Sequence, residues 1–259
     1  MRILVAVKQV AILAEEFALD GADTVPPHAL RRRLNELDAH AVEAALTINE
    51  GEPGEVVAAT VGDEHADDAL LSCLAMGADR ALRVWGEDLA GADALAVAAV
   101  LAALARVERP DLILCGAQSS DSADAATGVA LASLLDLPRV AVVTAIERDG
   151  DRLVVQRELD GGALEVLRVG TPAVLTVQSG INDPRHATLR AIKQARSKPV
   201  SVLAPSELAL DAAELEAAAG SRRLRLFELP EGAGATLLEG APDRVAAQIA
   251  EIVREAISA

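Results

Sequence analysis

Aromatic side chains are nearly missing from this sequence. Phe17, Trp85 and Phe227 are the three in 259 residues, and there is no tyrosine. Stacking on single-stranded bases needs aromatic platforms, so their scarcity argues against that mode of nucleic-acid binding. Positive charge is scarce too: 24 basic residues face 40 acidic ones, a formal charge of −16. A nucleic-acid backbone is repelled by that average field. The same balance favours solubility and a partner with a basic face. Cysteine is limited to Cys73 and Cys115, neither in a CxxC, zinc or iron–sulfur spacing. Both read as reduced, buried thiols of a cytoplasmic protein. No apolar run approaches the roughly 20 residues of a membrane helix, so no membrane insertion is expected. The apolar start is interrupted by Lys8 and followed by Glu15 and Glu16, with no small-residue cleavage site. It reads as a first core strand and not as a signal peptide.

Just over half of the residues, 51%, are hydrophobic. With so few rings, the core must be built from Ala, Val, Leu and Ile. Short β-branched runs alternate with Ala-rich stretches of helical period. Strands are expected at 3–7, 55–61, 81–85, 112–116 and 140–143, and helices at 35–49, 66–75, 93–107 and 122–135. Gly77 stands where a helix stop is expected. This alternation implies an α/β fold, a Rossmann-like doubly wound parallel sheet covered on both faces. Ligands of such sheets bind at the carboxyl ends of strands, which places 6–8, 61–63 and 116–121 on the functional rim. Beyond residue 150 the texture changes. Segments 152–158 and 164–169 flank Asp160-Gly161-Gly162 and read as a β-hairpin. Ala173 to Gln178 is one more strand. A basic segment, 181–198, follows. The remainder from Pro199 reads as an arm with an acidic helix at 206–218, a basic stretch (Arg222, Arg223, Arg225) and a terminal helix at 242–257, punctuated by Gly220, Pro230, Gly232 and Gly234. The domain expectation is a nucleotide-binding body, 1–198, and an extended C-terminal arm, 199–259. No solenoid repeat is present.

No GxGxxG follows the first strand, and no GxxxxGK[ST], GxSxG or HExxH occurs. The candidate anion loop is Gly116 to Gly128, a run of small and hydroxyl residues between a strand and a helix. Ser119, Ser120 and Thr127 can donate to a phosphate beside helix amides. A plain Ser/Asp-rich helix cap accounts for the same run, and both readings stand at this point. His28, His40, His65 and His186 share no nucleophile motif and read as surface residues. Glu15-Glu16 and Asp67-Asp68 read as solvated faces. Segment 185–198 is either an ordinary amphipathic helix or a docking element, with Leu189 as an apolar anchor inside a charged ring.

Several segments together resemble one family, the β subunit of electron transfer flavoprotein. They are Ile3 to Lys8; Asn35 with Ala41-Val42-Glu43; Ala75 to Arg80; the 116–128 loop; Arg157-Glu158-Leu159-Asp160-Gly161-Gly162; Pro172 to Thr176; and Asn182-Asp183-Pro184-Arg185-His186-Ala187-Thr188-Leu189. They keep the family's order and span nearly the whole chain. Gln118 to Asp121, Val177 to Asn182 and Leu189 to Ala195 are most similar to the bacterial branch that serves trimethylamine dehydrogenase. The resemblance implies an adenine nucleotide α hydrolase-like fold and an electron carrier, not an enzyme with its own substrate. It implies a heterodimer: FAD mainly in an α subunit, AMP held structurally here, and the arm packed on the α subunit. Partners would be that subunit, a flavin-dependent dehydrogenase as donor, and a quinone oxidoreductase or similar acceptor, in the bacterial cytoplasm. Carried over residue by residue, the AMP site would comprise Ala6, Asn35, Glu36, Leu37, Asp38, Val61, Gly116, Gln118, Ser119, Asp121, Ala125, Ala126 and Thr127. A recognition loop at 184–194 would use Arg185, His186, Leu189, Arg190, Ile192 and Lys193. Glu158 and the neighbourhood of Leu13 would meet the flavin domain. Ala125 and Ala126 stand where many members have an Asn–Gln pair. Two other readings share the sheet: a bifurcating relative with a second FAD in place of AMP, and a stand-alone nucleotide-binding module of the universal-stress type.

Overall fold

Alternation along the first strand sets the architecture. In the computed structural model, β1 (Arg2–Ala6) sends Ile3 and Val5 to one face of a sheet and Leu4 and Ala6 to the other, all buried. A strand buried on both faces has to be apolar throughout, which is why this run lacks a polar alternation. The structure describes residues 1–14, 19, 25–51, 53–150, 152–222, 224–227 and 234–258. Phe17, Glu15, Glu16, Arg223, Pro230 and Gly232 lie outside them.

After β1 the chain makes β2 (Gln9–Leu13) and β3 (Leu30–Leu34), a separate antiparallel ribbon. There follow α1 (Glu36–Asn49), β4 (Glu55–Val61), α2 (Asp67–Met76), β5 (Arg80–Val84), α3 (Ala94–Glu108), β6 (Leu112–Gly116) and α4 (Thr127–Leu135). Next come β7 (Arg139–Asp149), β8 (Arg152–Glu158), β9 (Leu164–Gly170), β10 (Ala173–Val177), α5 (Leu189–Ala195), β11 (Val200–Leu203), α6 (Ala212–Ala218) and α7 (Pro242–Ser258). The main sheet runs β11-β5-β4-β1-β6-β10-β7-β8-β9. Pairing is parallel from β11 to β7 and antiparallel only at β7–β8 and β8–β9. Residues of α1 and α2 pack with Ile3, Val5 and Leu114 on one face. Residues of α3 and α4 pack with Leu4, Ala6 and Ile113 on the other. The sheet is therefore doubly wound. Its order reverses beside β1, with β4 on one flank and β6 on the other.

Several expectations need correction. The helix expected from 122 starts at Thr127, because Ala123 and Ala125 sit at φ 54° and 51°, a left-handed conformation no α-helix contains. The expected 206–218 helix is two pieces. A 3-10 turn (Pro205–Leu208) is broken from α6 by left-handed Ala209, and Asp211 recaps the chain by accepting from the Glu214 amide at 2.8 Å. The strand expected at 140–143 is a longer one, and the hairpin continues it as a three-stranded meander. The ribbon β2–β3 and the edge strand β11 are additions. Residues 200–218 join the main body: β11 pairs with β5, and Leu208 and Leu215 enter the core. No residue of α7 is buried. Among the described residues, no helix is long and apolar enough to cross a membrane.

Candidate functional site

A cavity of about 300 Å³ opens where the strand order reverses. This is the position that doubly wound sheets use for ligands. Its floor is the carboxyl ends of three strands: Ala6 of β1 with Lys8 just beyond it, Val61 of β4, and Cys115 and Gly116 of β6. Leu89, Val97 and Leu101 add an apolar wall from the β5–α3 connection and α3. Gln118, Ser119, Ser122, Ala125, Ala126 and Thr127 close the other side.

The loop between β6 and α4 is fixed from α1. Asn35 precedes that helix without capping it. Its side chain reaches across instead: Nδ2 donates to the Gln118 carbonyl at 3.0 Å, and Oδ1 accepts from the Ser120 amide at 3.2 Å. Asp38, only 5% exposed, accepts from the backbone amides of Lys8 and Gly116, each at 2.8 Å. It thereby ties β1 to β6 at their carboxyl ends. Burial pushes the Asp38 carboxyl up to about 6, although both amides pull it down. Burial, with the Asp38 charge added, also pushes the Cys115 thiol up to about 12. That makes Cys115 an inert wall, not a nucleophile. Gly116 has no room for a Cβ, which would meet Asp38 Oδ1 at 2.6 Å and Leu37 Cβ at 2.7 Å.

The donor set suits an anion. Helix α4 starts with no side-chain cap. Its first-turn amides therefore lack an internal partner, and the helix end favours negative charge. The two left-handed alanines just before it place strain in the loop that leads to those amides. Lys8 lines the cavity and its Nζ donates to Asp121 Oδ1 at 2.7 Å and to the Ser119 and Ser122 hydroxyls at 3.3 Å each. A cation, amides and hydroxyls on one side and an apolar wall on the other fit a phosphorylated ligand with a flat apolar part. Among the described residues, no group of three His, Cys, Asp or Glu side chains is arranged for a metal ion.

The structure brings Ala6, Asn35, Asp38, Val61, Gly116, Gln118, Ser119, Ala125, Ala126 and Thr127 to this cavity. Glu36, Leu37 and Asp121 are not among its lining. Glu36 is exposed, Leu37 backs the Gly116 turn, and Asp121 is engaged by Lys8. Sequence reasoning placed Lys8 on the rim without giving it a role, and missed the whole segment 91–94. The usable signal was topological, since any connection that leaves a strand's carboxyl end lies on this rim. Asp93 in that segment caps α3 through Oδ1 and, through Oδ2, accepts from the Gly220 and Ser221 amides at 2.8 and 2.7 Å.

The remaining candidates lie elsewhere. Leu13 ends β2, half exposed, and Glu158 ends β8, exposed; neither lines the cavity. Leu189 opens α5 and is 87% exposed, with Ile192 exposed one turn on. His186, Arg190 and Lys193 are exposed beside it. Arg185 is different, because Glu43 and Glu50 engage its guanidinium. His40 is buried and not a surface residue; its Nδ1 and the Asn182 Oδ1 are 3.0 Å apart.

Residues 23–208 match the family model described as "Electron transfer flavoprotein domain". The chain is 43% identical to "Electron transfer flavoprotein subunit beta" of Methylophilus methylotrophus, over 98% of both chains. It is 37% identical to "Electron transfer flavoprotein subunit beta" of Homo sapiens, over 82% of this chain and 84% of that one. It is 34% identical to "Caffeyl-CoA reductase-Etf complex subunit CarD" of Acetobacterium woodii, over 93% of this chain and 92% of the relative.

Proposed function

Because the chain belongs to the electron transfer flavoprotein family, as a β subunit and electron carrier, we propose that it binds AMP in the β1–β4–β6 cavity and presents Leu189 to a flavin-dependent dehydrogenase. The observation that carries the adenylate is the cavity itself, with Lys8 and the uncapped start of α4 on one side and Val61, Leu89 and Val97 on the other. The phosphate goes to the Thr127 end and the base to the apolar wall. Asn35 and Asp38 act one step back, holding the loop and the strand ends in place.

FAD, bound mainly by an α subunit, supplies the redox chemistry of the pair. The residues of this chain orient and dock. Leu189 is the apolar anchor; Arg190, Ile192, Lys193 and His186 surround it, and the positive charge of Arg190 and Lys193 steers an acidic partner. The exposed end of β8, with Glu158, and the ribbon end at Leu13 face the flavin domain. The apolar residues Ile249, Ile252, Val253 and Ile257 of α7 are exposed and pack on the α subunit. Electrons pass from the dehydrogenase to that FAD and on to a quinone oxidoreductase. We place the protein in the bacterial cytoplasm, where the two free thiols Cys73 and Cys115 stay reduced.

Acid release of ligands from the purified αβ complex tests the nucleotide. One AMP and one FAD per pair is the expected result. Two FAD and no AMP would overturn the adenylate in favour of a bifurcating arrangement. For docking, Leu189→Ala should slow reduction by trimethylamine dehydrogenase about tenfold, as for an anchor worth more than 1 kcal/mol, with FAD content unchanged. An unaltered rate removes the anchor.

A further inference from the structure

Helix α5 has seven residues, and only Ala195 among them is buried. Isolated helices this short do not hold in water. Something else must fix the direction in which Leu189 points. Upstream, residues 182–185 are clasped to α1. Asn182 Nδ2 donates to the His40 carbonyl at 3.0 Å while its Oδ1 meets His40 Nδ1. The Arg185 guanidinium donates through Nε to Glu43 Oε2 and through Nη2 to Glu43 Oε1, both at 2.8 Å. The Arg185 backbone amide adds a third bond to Glu43 Oε2 at 3.0 Å, and Glu50 takes a fourth from Nη2 at 2.8 Å. Glu43 is 7% exposed, so this carboxylate is a fixed point. A two-pronged arginine–carboxylate pair sets geometry as well as energy. Three residues on, Thr188 caps α5 by accepting from the Ala191 amide at 3.2 Å.

We propose that Glu43 is a positioning residue for docking: by gripping Arg185 through both its side chain and its backbone, it presents Leu189 in one orientation before a partner arrives. This rests on the docking reading above. It reassigns Arg185 from the charged ring around the anchor to the clasp behind it. Arg190 and Lys193, which no carboxylate engages among the described residues, keep the steering role. A pre-ordered loop lowers the ordering cost of association, so the clasp acts on affinity and not on the electron step.

The experiment compares wild-type αβ complex with Glu43→Gln, Arg185→Lys and Leu189→Ala complexes. Hydrogen exchange over residues 183–190 should speed up tenfold or more in Glu43→Gln and less in Arg185→Lys, with the β6 amides unchanged. With reduced trimethylamine dehydrogenase as donor, KM for the complex should rise several-fold in Glu43→Gln, exceeding any fall in kcat, and AMP content should stay the same. Unchanged exchange at 183–190 overturns the clasp. Faster exchange with unchanged KM, while Leu189→Ala does raise KM, overturns the positioning role alone. No effect of Leu189→Ala on KM overturns the docking reading, and this proposal with it. If Glu43→Gln yields no complex, Arg185→Lys decides by the same two readouts.

Discussion

Two carboxylates of α1, little more than one helical turn apart, are held in opposite ways. Asp38 faces the cavity end and is satisfied by two neutral backbone amides. Glu43 faces the segment that leads into α5 and is satisfied by a guanidinium. Burial dominates at Asp38 and pushes its carboxyl up to about 6. The Arg185 hydrogen bonds dominate at Glu43 and hold its carboxyl below the usual carboxylate range. At the rim, then, the protein keeps a buried acceptor to lock strand ends together and tolerates a reluctant ionisation. Before α5 it uses a charged tie across a long stretch of sequence, and that tie ionises readily. Both work from one rigid helix, so the cavity and the Leu189 segment share a common frame.

The most damaging way to break the cavity side is Gly116→Ala. The new Cβ would meet the Asp38 carboxylate at 2.6 Å, Leu37 Cβ at 2.7 Å and the Asp38 amide nitrogen at 3.0 Å. Backbone cannot yield as a flexible side-chain tip does. Overpacking costs about 3 kcal/mol, and loss of the Gly116–Asp38 hydrogen bond adds about 1 kcal/mol. Melting of the αβ complex should show a clear drop, with AMP content reduced. A variant as stable as the parent would mean that the Asp38 tie is slack.

A smaller change sharpens the contrast through pH. The folded-state value of Asp38, about 6, lies above its ordinary 3.8. The folded state therefore binds this proton more tightly, and the stability Asp38 contributes is greatest below about pH 4 and lost as pH rises through about 6. A rise of that size corresponds to about 3 kcal/mol. Glu43 runs the other way. Its contribution is present above its ordinary 4.5 and lost as pH falls below it. Asp38→Asn removes the first dependence and keeps the second. The stability advantage of the parent over Asp38→Asn should thus shrink by about 2 kcal/mol between pH 4 and pH 7, read from melting curves of both complexes. A gap independent of pH would show that Asp38 ionises normally.

What was legible in the sequence divides along similar lines. Strands β1, β4 and β6 were plain, because a strand covered on both faces must be apolar along its length. Helix α3 was plain from its long Ala/Leu/Val run. The ribbon strand β3 was hidden because it reads Leu-Arg-Arg-Arg-Leu and its central residues are exposed. The start of α4 was misplaced because alanine shows no preference that would betray a left-handed Ala123 or Ala125. His40 looked like a surface residue, and Arg185 like an unpaired surface cation, because their partners, Asn182 and Glu43, lie 142 residues away in each case. Family motifs brought ten of the cavity residues to notice and include Glu43, but nothing in them pairs that carboxylate with Arg185. Local pattern reports which face of an element is buried; it does not report which buried polar group meets which.

The smallest expected effect is on the docking side, where the comparison is most exposed to failure. Leu189 is 87% exposed, so its side chain gives little to folding. Leu189→Ala should leave the melting temperature of the αβ complex almost unchanged, within about 0.5 kcal/mol, as for surface sites away from buried features. A large leucine held out in solvent on a clasped helix has no folding reason to be there. If the substitution did destabilise the complex, Leu189 would already be buried against the α subunit and not free for a dehydrogenase. Stability unchanged and electron acceptance slowed is the pairing that separates an anchor kept for a visiting partner from one consumed in building the carrier.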